Sequence, residues 1–399
     1  MKWLIPLSEL AGVTELTGGV GRRYAAVLAE LSALGVEPIV ALYPDTRLVE
    51  NPELPPGIQL DVDRRWSWLP SFVRPVLRAV MFRRRAAKIN PDLIFAPEWL
   101  GAAAFAPSRI PLVTNLVTGI ELMTEVEDSA GVAGSWRRSL QTRIQGALER
   151  RQVRCSSRTI GCSVAITNWY KARFKMPDDA QVVRNCIDVE RVRAGASTAP
   201  LPDGWPAQGT VLMHAGRVEA RKGAHISALA FNLIARKHPG LQLVFAGARG
   251  HTLPEWGTDG VLSLIDSDLR DRVVFLGNVR GDALYRAMAQ AEVCMVPSLW
   301  EAFGNIALEV KASRTPLVVT SGSGFDDFCQ DGVDARVVPP ADERALAHVV
   351  SEMLEDPEQM RALTQRAAIQ VDDFSAVSVA QDLQRAVEAS PHVDGQYLE

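Results

Sequence analysis

Val293-Cys294-Met295-Val296-Pro297-Ser298-Leu299-Trp300-Glu301-Ala302-Phe303-Gly304-Asn305-Ile306-Ala307-Leu308-Glu309 is the stretch on which the reading of this chain turns. Its first four residues are an unbroken apolar run, as expected of a strand buried on both faces. A short turn follows, carrying one carboxylate, Glu301. Gly304 lets the backbone pass close to a neighbour, and a helix begins with a second carboxylate, Glu309, inside it. In an open parallel sheet, ligands sit at the carboxyl ends of strands, where helix N-termini offer N–H groups to anions. Two glutamates bracketing such an end suit a ligand that has both phosphates and hydroxyls.

Working outward, strand and helix patterns alternate on both sides of this stretch. Upstream of residue 190 the apolar runs at 3–6, 38–42, 93–96, 112–117, 159–162 and 182–188 read as strands, with a charged helix at 137–154. Beyond residue 208 strands are expected at 210–215, 241–246, 273–276, 293–296, 317–320 and 335–338. Helical patterns lie between them at 224–237, 282–289, 305–313 and 342–354, and two more close the chain at 357–371 and 375–388. Regular alternation of this kind predicts α/β architecture with doubly wound parallel sheets. The Ala-, Pro-, Gly- and Ser-rich stretch 194–208 reads as a linker. The expected organisation is an N-terminal Rossmann-like domain over 1–190, a linker at 191–208, a second Rossmann-like domain over 209–372, and a C-terminal helix in 373–399 returning toward the first domain. The cleft between two such domains is the expected site.

Composition narrows the function classes. The 399 residues are 47% hydrophobic and 23% charged, ordinary for a globular chain too long for one core. A net charge of −4 gives no reason to expect nucleic acid, although the first 190 residues carry 24 Lys and Arg against 20 Asp and Glu and the remainder 19 against 27. Five cysteines without C-x-x-C spacing form neither a disulfide framework nor a zinc pattern. The opening residues read as a first strand rather than a signal peptide, and no apolar run approaches a membrane span, so the cytoplasm is the expected compartment. Segment 64–88 is basic and aromatic: Arg64, Arg65, Arg74, Arg78, Arg83, Arg84, Arg85 and Lys88 interleave with Trp66, Trp68, Phe72 and Phe82. It reads either as a solvated helix face whose arginine stems cover apolar surface or as a peripheral contact with an anionic membrane face. Pro70 and Pro75 limit the length of any helix there.

Two further loops carry chemistry. Thr17-Gly18-Gly19-Val20-Gly21 follows the first strand and opens a helix, a turn that can approach a phosphate or a sugar but lacks the spacing of a dinucleotide fingerprint. The first strand of the second domain ends in Gly216-Arg217-Val218-Glu219-Ala220-Arg221-Lys222-Gly223. There Arg217 and Lys222, a fork and a point charge, can hold a diphosphate from two sides.

The combination of Gly216-Arg217…Lys222-Gly223 with Pro297-Ser298…Glu301-x-Phe303-Gly304…Glu309 resembles the retaining family-4 glycosyltransferases of GT-B architecture, two Rossmann-like domains facing across a cleft. Asn185-x-Ile187-Asp188, Phe275-x-Gly277, and Asp331-Gly332-Val333 before Val337-Val338-Pro339 extend the resemblance over the whole chain. The resemblance implies that a UDP- or GDP-type sugar is the donor, with Arg217 and Lys222 neutralising its diphosphate and backbone N–H groups at Asn305 and Ile306 assisting. Glu309 would bind the ribose, Glu301 would stand beside the sugar, and Asn278 and Val279 would meet the base. Gly18, Gly19, Gly216, Phe303 and Gly304 complete the implied donor site. It further implies retention of anomeric configuration, no metal and no cofactor, and a small-molecule or lipid-linked acceptor held mostly by residues 1–190. An epimerase of the same architecture and a non-catalytic nucleotide-sugar binder are the alternative readings. Three departures stand out: Val113-Thr114-Asn115-Leu116-Val117-Thr118-Gly119-Ile120-Glu121 contains no histidine where the family has one, Ala302 replaces a glycine, and Gly322-Ser323-Gly324-Phe325-Asp326-Asp327 offers an aspartate in place of a glutamate. Thr118, Glu121 and Asp326 are therefore the candidate sugar or acceptor contacts.

Overall fold

The computed structural model describes all residues except 16, 44–45, 63–72, 130–139, 175, 177–179, 250–256, 280 and 390–399, together with the side chains of 127–129. Two compact units emerge. The first gathers Met1–Thr124, Ser135–Ile187 and Phe374–Glu399, and the second Glu125–Gly134 and Asp188–Asp373.

In the first unit the chain runs β1 (Lys2–Leu7), α1 (Gly19–Ala33), β2 (Glu37–Leu42), β3 (Gln59–Val62), α2 (Arg74–Ile89), β4 (Leu93–Pro97), β5 (Leu112–Leu116), the start of α3 (Ile120–Ser129, counted with the second unit from Glu125), α4 (Leu140–Cys155), β6 (Arg158–Gly161), α5 (Val164–Arg173) and β7 (Gln181–Val182). The strands form one parallel sheet in the order β3-β2-β1-β4-β5-β6-β7. β1 and β4 are apolar nearly throughout, and β5 is buried throughout, because both faces are covered. On one face Trp3, Ile5, Leu7, Phe95 and Val113 pack with Tyr24, Val27, Leu28 and Leu31 of α1. On the other, Leu4, Ile94 and Leu112 pack with Phe82 and Ala86 of α2.

The second unit runs α6 (Val189–Thr198), β8 (Thr210–Ala215), α7 (Ala224–Ala235), β9 (Leu241–Ala246), α8 (Thr258–Ser263), β10 (Val273–Gly277), α9 (Asp282–Gln290), β11 (Val293–Val296), α10 (Asn305–Ala312), β12 (Leu317–Thr320), β13 (Arg336–Val338), α11 (Glu343–Glu355) and α12 (Pro357–Gln370). Its six strands are parallel in the order β10-β9-β8-β11-β12-β13. The last helix, α13 (Ala376–Glu388), belongs to the first unit, where Val379, Ala380, Leu383 and Val387 join the core beside α1.

The alternation expected from periodicity is present, with most ends displaced by a residue or two, while the strand expected over 182–188 is confined to Gln181–Val182. The linker expectation is corrected. Residues 194–198 are the second half of α6, whose start is capped by Asp188 accepting from Arg191 N at 3.0 Å. Small residues read as flexible there because they let helices approach: a Cβ on Gly195 would lie 3.0 Å from Asp282 of α9. In the basic segment, 64–72 lie outside the described residues. Pro75 sits in the first turn of α2, where its missing N–H is harmless. Two of the arginines turn inward, Arg85 to Asp61 at 2.6 Å and Arg78 over the Tyr43 ring at 4.7 Å. No helix among the described residues is long and apolar enough to cross a membrane.

Candidate active site

The order of the second sheet explains why two loops eighty residues apart in sequence meet. Strand order runs one way from β8 to β10 and the other way from β11 to β13, so β8 and β11 are neighbours at the switch point, where connections leave a crevice at the carboxyl edge. The loop after β8 and the loop after β11 both start there. They are tied by Leu299 N donating to Arg221 O at 2.9 Å. Gly223, with φ 71°, presses so close to Pro297 O that a Cβ would stand 1.9 Å from it, so only glycine fits.

Side chains converge on Glu301, which is 6% exposed. The Lys222 ammonium donates to its Oε1. Ser298 Oγ donates to the same oxygen at 2.8 Å, and Arg221 Nη1 stands 3.8 Å from Oε2. Burial alone would raise the Glu301 carboxyl, but the Lys222 and Arg221 cations beside it outweigh burial and hold it below the usual carboxylate range. Burial pulls Lys222 below the usual lysine value, with Glu301 opposing. Buried Glu219 pairs with Arg217 at 3.0 Å and Arg221 at 3.1 Å, while the Arg217 side chain stays 44% exposed and accessible to a ligand. Beneath the loop, His214 Nδ1 meets Ser227 Oγ at 2.9 Å, and burial pushes this imidazole down to about 3, so it is neutral at physiological pH.

The opening stretch folds as its residues direct. Gly304, at φ 95°, turns the chain into α10 over the face of Phe325. Asn305 and Ile306 form the first turn of α10, and Glu309 lies in its body, 3% exposed. Lys311, fully buried, holds this helix in place by donating to Phe328 O and to Gln370 Oε1 at 2.7 Å and pairing with Asp334 at 3.2 Å. Phe303 is 1% exposed and packs on Phe328 with ring centroids 4.8 Å apart. Its side chain therefore supports the loop from the core. The loop after β12 joins through Gly324 N donating to Glu301 O at 2.9 Å. Asp326 there is exposed, and it accepts from Gly322 N at 2.9 Å. Asn278 and Val279 follow the edge strand β10, separated from β8 by β9.

The first unit differs from expectation at its glycine-rich turn. The N–H groups of Gly18 and Gly21 are taken by the carboxylate of Glu9, at 2.8 and 2.7 Å, so an internal anion occupies two of the turn's donors, that of the expected contact Gly18 among them. Thr118 donates to Val117 O, and Glu121 pairs with Arg150, both within the same unit. Sequence reasoning missed two buried carboxylates there. Glu98, directly after β4, accepts from Val117 N at 2.7 and 2.8 Å and from Tyr170 Oη at 3.2 Å. Glu149 of α4 accepts from Ile120 N at 2.7 Å, Gln145 Nε2 at 2.9 Å and Leu100 N at 3.0 Å. Burial pushes these carboxyls up to about 7 and about 8. The position of Glu98 at a strand's carboxyl end was the available signal.

Comparison with known proteins matches both halves. Residues 17–191 match the model described as Glycosyltransferase Family 4, and residues 202–370 that described as Glycosyl transferases group 1. A glycogen synthase of Mycobacterium tuberculosis is 31% identical over 304 residues, covering 73% of this chain and 67% of that protein. Among solved structures, sucrose-phosphate synthase from Thermosynechococcus elongatus superposes with TM-score 0.76 at 20% identity, over 97% of this chain and 98% of that one. HepE of Anabaena, solved with UDP and glucose, gives 0.68 at 19% identity, over 98% and 100%. This chain belongs to the group 1, or family 4, glycosyltransferases: it has the GT-B fold and is an enzyme that transfers a sugar from a nucleotide-sugar donor.

Proposed function

We propose that the enzyme is a retaining hexosyltransferase whose donor, a UDP- or GDP-type sugar, binds at the β8–β11 switch point. The observation that carries this reading is the Lys222–Glu301 pair, with Arg217 exposed beside it. Arg217 and Lys222 hold the diphosphate, whose negative charge grows as the bond from the anomeric carbon to its phosphate oxygen breaks; fixed cations act most strongly at that stage. The acceptor hydroxyl attacks from the face the phosphate leaves, and its proton passes to the departing phosphate oxygen. Glu301 stands beside the sugar and steadies positive charge near the anomeric carbon. Glu309 takes two ribose hydroxyls, the N–H groups of Asn305 and Ile306 assist the phosphate, and Asn278 and Val279 meet the base. The N-terminal unit holds a small-molecule or lipid-linked acceptor.

The test is a thermal-shift screen of the full chain with uridine, guanosine, adenosine and thymidine diphosphates. One of the first two should stabilise the protein by about 2.7 kcal/mol at a hundred times its Kd. Glu309→Ala should weaken that ligand by about 1.5–3 kcal/mol, the worth of hydrogen bonds to a charged group. No response to any diphosphate, or an unchanged response in both Arg217→Met and Glu309→Ala, overturns the reading.

A further inference from the structure

Arg23 of α1 is 3% exposed, a depth at which arginines are normally paired. Its Nη1 donates to Asn115 Oδ1. That oxygen also accepts from Tyr24 Oη at 3.1 Å, while Asn115 Nδ2 donates to Ile160 O at 2.9 Å, so the anchor is itself fixed. The Tyr24 ring centroid lies 5.6 Å from the guanidinium carbon, a contact that offsets part of the cost of burial. The remaining two nitrogens, Nε and Nη2, are buried and have no hydrogen-bond partner among the described residues.

These two nitrogens matter because their N–H bonds run parallel along one edge of the planar group, the edge that takes two oxygens of a carboxylate or phosphate at once. The guanidinium cannot shed its proton, so the folded chain carries a buried positive charge whose fork has no hydrogen-bond partner among the described residues. An uncompensated buried charge is strongly unfavourable, and the usual remedy is an anion. Three acids of this unit are committed elsewhere: Glu9 to Gly18 and Gly21, Glu98 to Val117 and Tyr170, Glu149 to Ile120, Leu100 and Gln145. Asn115 lies one residue from the end of β5, and its carbonyl accepts from Glu98 N at 3.1 Å. Arg23 is thus held at the carboxyl end of the central strands β4 and β5, the edge where open parallel sheets receive ligands.

We propose that Arg23 is an oxyanion-binding residue of the N-terminal unit, receiving a phosphate or carboxylate group of the acceptor on its Nε–Nη2 edge. This rests on the reading of that unit as the acceptor side and deepens it: the acceptor is an anion.

The experiment uses the full chain with the donor site saturated by the nucleoside diphosphate that the screen selects. Melting is followed against inorganic phosphate and, separately, acetate, with sodium chloride matching the ionic strength. The unmodified protein should gain a saturable rise in Tm from at least one anion, phosphate pointing to a phosphomonoester acceptor and acetate to a carboxylate. Arg23→Met, which keeps the stem and removes the charge, should melt above the unmodified protein without anion and gain nothing from either. Arg23→Lys keeps the charge without the fork and should bind at least tenfold more weakly. No response of the unmodified protein beyond the chloride control overturns the proposal, as does a response of Arg23→Lys equal to that of the unmodified protein. If no diphosphate binds, the donor reading fails, and the same titration run without it still decides Arg23.

Discussion

Separating the two partners of the Lys222–Glu301 pair should cost stability unequally, and removing both should restore most of it. Cutting one partner from a fully buried pair costs about 3–5 kcal/mol, because a charge is left without compensation. The partners here are 17% and 8% exposed, which argues for the lower end. They also differ in what remains. After Lys222→Met, Glu301 keeps Ser298 at 2.8 Å and Arg221 at 3.8 Å, so the cost should be about 2 kcal/mol. After Glu301→Gln, Lys222 keeps an amide oxygen and the attraction of Glu219 against the repulsion of Arg221, so the cost should be about 3 kcal/mol. The double variant carries neither charge and should lose only about 1 kcal/mol, a coupling of about 4 kcal/mol. Hydrogen exchange at the Leu299 and Gly324 amides reads the effect locally, since both bonds brace the two loops. At 1.4 kcal/mol per decade, exchange through local opening should speed by about thirtyfold and a hundredfold in the single variants. Turnover should stay low in all three, because stability and transition-state charge are separate demands on the same groups. The sign with pH follows from Glu301, whose carboxyl is held low: the stability it contributes is present above the usual carboxylate range and is lost as pH falls through its folded value. That acid loss should shrink in Lys222→Met. Single costs that simply add, or exchange unchanged in both single variants, would refute this account of the pair.

Gly304→Ala should destabilise the second unit by about 3 kcal/mol, since the new Cβ would stand 2.2 Å from the Phe325 ring at φ 95°. Gly322→Ala, at φ 79° with nothing within 4 Å of its Cβ, should cost only about 1 kcal/mol, and equal losses in urea melts of the two would remove the clash from the argument. In the first unit, Glu149 has its carboxyl raised from 4.5 to about 8 by burial, so the folded state binds more protons and stability should fall as pH rises from about 5 to 8. Glu149→Gln should flatten that decline by roughly 3–4 kcal/mol, and melting curves with an unchanged pH dependence would contradict it.

How far the sequence reaches depends on the range of the interaction being read. The run from Val293 to Glu309 was legible as strand, turn and helix because apolar continuity and glycine placement are local. That Lys222 and Glu301 belong to one site was legible too, because both follow parallel strands and such strands gather their ends on one edge. Their pairing with each other was not, since it depends on β8 lying beside β11. The same limit explains the glycine turn: nothing in Gly18-Gly19-Val20-Gly21 shows that Glu9 folds back onto the N–H groups of Gly18 and Gly21. Residues 194–198 were misread for a different reason, because small side chains signal flexibility in an isolated chain and close packing in a folded one. The second unit carries the paired motifs of the family with two departures, Ala302 and Asp326. In the first unit the departure is the absent histidine at the carboxyl end of β5, where Glu98, Asn115 and Arg23 stand. Arg23 looks like half of a solvated Arg22–Arg23 pair until the strand order brings Asn115 to its guanidinium from two strands away. A buried fork anchored in the stretch that lacks the histidine is what recognition of an anionic acceptor would require.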